Sequence, residues 1–337
     1  MKKLLVILLV AAALAGAGFY SYKIYVERAS GEDVYASFVM EAYDKIQENY
    51  WAGNVASSTE RINTLAQVKE ELGRATSTAT KKETALNIVI ATLSNLEPKG
   101  RNGLLSDKQE KEFRDVVNNK NPETGEVEPT VESRIAGKTL YLGVKQIAPT
   151  TLQEIGNALT KASTTPGMDS IIFDFRGNIG GSLDFLPAFL GLFIGPDQYA
   201  FDLFSHGEKK VIRTTMPKYP DFERYKEIAF FSDNATQSTA ELTIDAFKKY
   251  RLAKSVGVTT KGWGTIENTY PLATEIDPET KYLLLLVNNL TVRADNEPIE
   301  GNGVVPDVDT SKVGWQSELP KVFKSASLIN ALKVFVK

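Results

Sequence analysis

Cysteine is absent from the 337 residues, so disulfides, thiolate nucleophiles and zinc-thiolate sites are excluded together. Histidine occurs once, at His206. A Ser-His-Asp triad would have to use that residue, and a histidine-rich metal site cannot be assembled. Neither a metal nor a cofactor is expected. His206 sits beside Gly207 among charged neighbours and reads as a loop position. Neither sign of charge dominates, since 39 Lys and Arg against 42 Asp and Glu leave a net −3. Without a basic field, a nucleic-acid partner has no electrostatic support. Any hydrolytic chemistry would have to move its proton through a lysine or a carboxylate.

What is present begins with a strongly apolar run. Lys2 and Lys3 precede Leu4 to Tyr20, and Lys23, Glu27 and Arg28 follow. This is the pattern of an export signal. Its 17 apolar residues are short for a spanning helix and long for the apolar core of a cleaved signal peptide. Ala13-Leu14-Ala15 offers a cleavage site, yet the run continues to Tyr20, which favours an uncleaved membrane anchor over residues 1–30. The leading lysines place the body on the extracytoplasmic side; cleavage would make it periplasmic or secreted.

The 42% hydrophobic content is enough for one large domain with a helical appendage. Residues 31–118 read as that appendage: Val34, Phe38, Ala42 and Ile46 recur at helical spacing, as do Ile62, Leu65, Val68 and Leu72. Ser57-x-x-Glu60 and Ser106-x-x-Gln109 are capping boxes, with a connector at 74–80. Residues 119–137 are polar with Pro122, Gly125 and Pro129, and read as a linker. From 138 to 313 strands near 139–147, 169–175, 227–232 and 281–293 alternate with helices near 151–163, 182–194 and 238–251. That order predicts an α/β domain with a layered sheet, and residues 314–337 a C-terminal helix.

Open sheets of this class place their chemistry in the turns after strands. The strand Ile171–Phe175 ends in D-x-R-x-N-x-G-G, residues 174–181, whose free N–H groups could hold an oxyanion or serve only as a tight corner. Ser238-x-x-Glu241 opens a helix after the strand Ile228–Phe231. Ser238 there reads equally as an N-cap and as a serine in the positive field of a helix start, beside the N–H groups of Thr239 and Ala240. Two further segments follow: V-G-x-x-T-x-G-x-G at 256–264 and G-x-G-x-x-P-D at 301–307.

These four motifs, in this order, resemble the tail-specific, or C-terminal processing, serine protease family. The resemblance is close over 138–310 and loose over 33–118. It implies a layered α/β core of the ClpP/crotonase-like type, preceded by a small helical region and an N-terminal membrane segment. It also implies a serine-type endopeptidase acting on exported polypeptides through a serine and a lysine base. By the match, Ser238 takes the nucleophile position, and Gly180 or Gly181 together with Thr239 takes the oxyanion hole. The family lysine stands between the two glycines of its G-K-G motif, where this chain has Trp263, here expected to line the substrate groove. Lys261 is the candidate replacement base: two residues away in an extended segment, it would share a face with position 263, displaced by about 6.8 Å. Glu267 stands where the family often orients its lysine with a glutamine. A peptide-binding PDZ domain, usual between helical region and core, has no room in residues 119–137. Loss of the lysine also admits a second class of function: an inactive homologue that binds peptides or a partner protein at the membrane surface.

Overall fold

The computed structural model describes residues 33–53 and 58–336. The expected anchor at 1–30 and the Ser57 cap lie outside the described residues. Among the described residues, no helix is long and apolar enough to cross a membrane.

Two compact units are formed. The first contains helices α1 (Val34–Asn49), α2 (Ser58–Gly73) and α3 (Thr78–Ser94) with strand β1 (Gly103–Ser106). Phe38, Ala42 and Ile46, the expected stripe of α1, are buried, as are Val68 and Leu72 of α2. The connector expected to reach residue 80 ends sooner, because the Ser77 hydroxyl accepts the Thr80 N–H at 3.2 Å and starts α3. The strand β1 corrects the expectation of helix throughout this region. Gly103–Ser106 pairs with residues 282–285, a partner too distant in sequence for local periodicity to reveal.

The second unit carries the site. It contains α4 (Asp107–Val117), α5 (Thr151–Ser163), α6 (Phe185–Ile194) and α7 (Thr239–Lys249), and the strands β2 (Val131–Ala136), β3 (Thr139–Val144), β4 (Ser170–Asp174), β7 (Glu227–Ser232), β8 (Lys254–Gly257) and β9 (Val308–Asp309). These strands make one sheet ordered β9-β8-β7-β4-β3-β2, parallel except for the antiparallel β2.

Period-two alternation explains the layers. Leu140 and Leu142, Ile171 and Phe173, and Ile228 and Phe230 point into one cluster with α5, α6 and α7. Tyr141, Ile172, Ala229 and Phe231 point to the opposite face, where Leu319, Phe323, Leu328 and Leu332 cover them. Strands buried on both faces must be apolar throughout, hence their continuous hydrophobic runs. The C-terminal segment is two short helices rather than one, α8 (Leu319–Val322) and α9 (Ala326–Phe335). Ser325 restarts the chain as an N-cap, its hydroxyl accepting the Leu328 N–H at 3.3 Å.

Two further expectations need correction. The presumed linker 119–137 ends in β2, which pairs along its length with β3, so the core begins before residue 138. A hairpin of β5 (Tyr199–Ser205) and β6 (Glu208–Arg213) lies within the stretch read without strands. His206 and Gly207 form its turn, both with positive φ, and the His206 ring nitrogen Nε2 lies 2.9 Å from the Tyr50 carbonyl oxygen. His206 is a turn residue, as expected.

Candidate active site

Asn178 is the keystone of the glycine turn. Its Nδ2 donates to the Val144 carbonyl oxygen at 2.8 Å, its Oδ1 accepts the Gly180 N–H at 2.8 Å, and its carbonyl accepts the Gln237 N–H at 2.9 Å. One buried side chain thereby fastens the end of β3, the glycines and the residue before Ser238. The other polar members of the motif are structural. Asp174 accepts from Arg176 Nε at 2.9 Å and from the Tyr141 hydroxyl at 2.9 Å, and Arg176 donates to the Phe335 carbonyl oxygen at 2.8 Å. Burial first, and the Asp174 charge second, push the Tyr141 phenol far above its ordinary value.

Ser238 adopts φ 57° and ψ −130°, outside the extended geometry of an ordinary N-cap. Few non-glycine residues accept such a backbone, and one that does costs on the order of 1–3 kcal/mol. The turn is enforced from both sides. A Cβ on Gly180 would stand 2.7 Å from Ser238 Cβ and 3.0 Å from the Thr239 nitrogen, so only glycine fits against the serine. Gly181 is equally constrained, since a Cβ there would stand 1.9 Å from the Ile147 carbonyl oxygen.

The two glycines differ in what their N–H groups do. That of Gly180 is bound by Asn178, whereas those of Gly181 and Thr239 donate to no acceptor among the described residues. Thr239 is tied to Gly181 through its hydroxyl, which donates to the Gly181 carbonyl oxygen at 3.0 Å.

Glu241 extends the capping box across the site. Fully buried, it accepts the Ser238 N–H at 2.8 Å, the Gly262 N–H at 2.7 Å, the Trp263 N–H at 2.8 Å and the Thr260 hydroxyl at 2.5 Å. A local motif visible in sequence therefore reaches 22 residues onward to fix the loop that faces the serine. Sequence reasoning missed that second role; a buried glutamate at N3 signals only the cap.

The loop 259–264 is irregular, and Gly262 has φ 77°. The premise of an extended segment therefore fails. Lys261 and Trp263 nevertheless come together, the Lys261 ammonium lying 5.2 Å from the centre of the Trp263 ring. Lys261 is exposed, its N–H donates to the Thr236 carbonyl oxygen at 2.9 Å, and its ammonium makes no hydrogen bond to Ser238. Glu267 meets the tryptophan instead, accepting the indole N–H at 3.0 Å as well as the Thr265 hydroxyl.

The closing motif buttresses this loop. Gly303 leaves no room for a side chain, since a Cβ would stand 2.5 Å from the Thr260 carbonyl oxygen, and Asp307 accepts the Ser255 N–H at 2.8 Å. Among the described residues, no group of His, Asp or Glu could hold a metal.

A parallel α/β core with a serine of positive φ opening a helix, two N–H groups free beside it and a glycine turn packed against it has the parts that serine-hydrolase chemistry would need. The chain belongs to peptidase family S41, whose model matches residues 138–310. It is 26% identical over 199 residues to a probable CtpA-like serine protease of Staphylococcus aureus, covering 58% of this chain and 38% of that protein. A Staphylococcus epidermidis protein of the same description is 26% identical over 188 residues, covering 56% of this chain and 37% of the other. The chain thus spans under two fifths of the length of these relatives.

In fold it is similar to a lipoprotein from Streptococcus agalactiae, with TM-score 0.58 and 18% identity over 86% of this chain and 96% of that one. It is also similar to the photosystem II D1 C-terminal processing protease, with TM-score 0.56 and 11% identity over 82% and 93%.

Proposed function

We propose that this protein is an extracytoplasmic serine peptidase, tethered through its N-terminal segment, that cleaves exported polypeptides with Ser238 as nucleophile. The observation that carries this reading is the left-handed backbone of Ser238 beside the undonated N–H groups of Gly181 and Thr239. In the proposed reaction Ser238 Oγ attacks the scissile carbonyl carbon, and the developing oxyanion accepts from those two N–H groups. Each such donor typically contributes about 10²–10³ in rate. Gly181 is preferred over Gly180 for this role because the Gly180 N–H is already bound.

Lys261 is the proposed base. Its N–H is bonded to the Thr236 carbonyl oxygen, two residues before the serine, and in the proposed step its deprotonated amine, moved off the Trp263 face, takes the proton of Ser238 Oγ. A fluorophosphonate, which reacts with activated serines, should label the full chain and fail to label Ser238→Ala. Labelling that survives in that variant would refute the assignment. Peptide hydrolysis should also disappear in Lys261→Ala.

One observation favours a second reading. The Lys261 ammonium rests on Trp263 rather than on the serine, which suits a groove that binds peptides without cleaving them. Under that reading peptide affinity survives Ser238→Ala and falls in Trp263→Ala, because an aromatic wall supplies much of a groove's contact energy.

A further inference from the structure

β2 is the terminal strand of the six-stranded sheet, and among the described residues nothing pairs with its outer edge. The ladder shows which groups face outward. The Lys145 N–H donates to the Thr130 carbonyl oxygen at 2.9 Å, so the even-numbered residues of β2 bond to β3 and the odd-numbered ones face away. Glu154 takes the outward N–H of Val131 at 2.9 Å. Ser133 and Ile135 have no such acceptor among the described residues, and the Ile135 side chain is 48% exposed.

Proteins guard an open edge with proline, a bulge or charged side chains. β2 has no proline and pairs with β3 without a bulge, and its two charges, Glu132 and Arg134, are of opposite sign on either side of Ser133. That order is self-complementary. An antiparallel copy centred on Ser133 sets Glu132 opposite Arg134 twice and Val131 opposite Ile135 twice. Centring on Glu132 would set glutamate against glutamate, and centring on Arg134 arginine against arginine, which is destabilising. The hydrogen-bond phase agrees with the Ser133 register. The two Ser133 residues form a bonded pair, the Ile135 N–H reaches the Val131 carbonyl oxygen of the other copy, and Glu132 and Arg134 fall at the closer, non-bonded positions. Within one chain their side chains meet only at 3.4 Å, and Arg134 is exposed.

We propose that this chain forms a two-fold dimer by pairing the outer edge of β2 with the same edge of a second copy, with Ser133 on the axis. A peptide of arbitrary sequence has no reason to match Glu132 and Arg134, whereas a second copy matches them by symmetry. Ile135 of each copy is covered beside Val131 of the other, over a groove of about 490 Å³ between β2 and α5. Val127, Val131 and Ala158 line that groove together with Glu128, Glu154 and Lys161, so it offers apolar cover and no charge of one sign. The two sheets continue into one, with the β7 strands seven strand spacings apart, about 33 Å. The two-fold reverses strand direction, so the carboxyl ends of the two β7 strands point to opposite edges and each copy keeps its own Ser238. The inference does not depend on Ser238 being reactive. The six residues of each β2 are fewer than the roughly 20–30 a side of a standard interface, so the dimer is reversible, with a Kd of about 10 μM.

The test is sedimentation velocity of the full chain in detergent micelles from about 1 to 100 μM. The parent should pass from monomer to dimer across that range. Glu132→Arg alone and Arg134→Glu alone each create two like-charge pairs and should weaken dimerisation at least about tenfold. An equimolar mixture of the two variants should restore it, as should the double variant, and restoration also shows that the single variants are folded. Because the chain has no cysteine, a second measurement reads the register. Directly opposed Cα atoms about 4.5 Å apart can form a disulfide, and diagonal ones at about 7–8 Å cannot. On oxidation Glu132→Cys protein should therefore cross-link to Arg134→Cys protein, and neither to itself. A parent still monomeric at about 100 μM, single charge variants that dimerise like the parent, a mixture no better than its components, or cross-linking of the Glu132→Cys protein with itself would each overturn the proposal.

Discussion

On one side of Ser238 stands the glycine turn 174–181 and on the other the loop 259–264, and they differ in what holds their functional groups in place. In the turn, the free groups beside the serine are backbone N–H groups, and their positions follow from glycines that no other residue can replace without collision. In the loop, the backbone is held as firmly, by Glu241 and by the packing of Gly303, but the chemistry depends on which side chain it carries. A side chain of the loop can therefore change identity without disturbing the fold, whereas a glycine of the turn cannot.

The largest expected effect comes from removing the strut between the two sides. Glu241→Ala leaves three N–H groups and one hydroxyl without their buried acceptor. At about 1–3 kcal/mol for each unsatisfied group, the loss should be about 4 kcal/mol or more, measurable by denaturant unfolding. A change under about 1 kcal/mol would mean that the loop is held by its glycine packing alone.

Gly181→Ala comes next. Its Cβ would meet the Ile147 carbonyl oxygen at 1.9 Å in a backbone with φ 139°, so about 1–3 kcal/mol should be lost, and fluorophosphonate labelling with it. Trp263→Ala, by contrast, should leave labelling and stability closer to the parent, which is the contrast between the two sides in one experiment.

Ser238→Gly should move stability the other way. Glycine accepts φ 57° without strain, and the variant should gain about 1 kcal/mol while losing all labelling. Unchanged or lower stability would show that the serine backbone stores no strain.

The smallest effect concerns Asp245, on the helix that Ser238 opens. Burial raises its carboxyl above the ordinary value against the opposing charge of Arg293. A carboxyl raised in the folded state favours folding while protonated, and that contribution fades as pH climbs through the carboxylate range. Asp245→Asn should therefore melt a few degrees higher than the parent near pH 7, with the gap closing toward about pH 4. A gap that stays constant with pH would point to a cause other than the charge.

The local pattern of the chain carried much of this. The boundaries of α5 at Thr151–Ser163 and of β7 at Glu227–Ser232 follow from apolar periodicity and turn residues, and both lie where the sequence places them. The position of Ser238 at a helix start follows from a motif four residues long. Two strands escaped the sequence. β1 exists because the distant residues 282–285 pair with it, and β2 was hidden in a polar stretch although it pairs with β3 across only Gly137 and Lys138. The choice between Gly180 and Gly181 likewise rested on where the Asn178 side chain turned.

Composition and order of motifs determined that no more than one histidine is on hand for any proton transfer, that the core is a layered α/β sheet and that Ser238 stands at a helix start. Only tertiary structure decided that Glu241 spans both sides of the site, that Glu267 holds Trp263, and that Lys261 lies on an indole ring. The physical reason is range. Capping, periodicity and turn formation act over a few residues and are written in their order, whereas a buried carboxylate takes whichever donors the completed fold brings within about 3 Å.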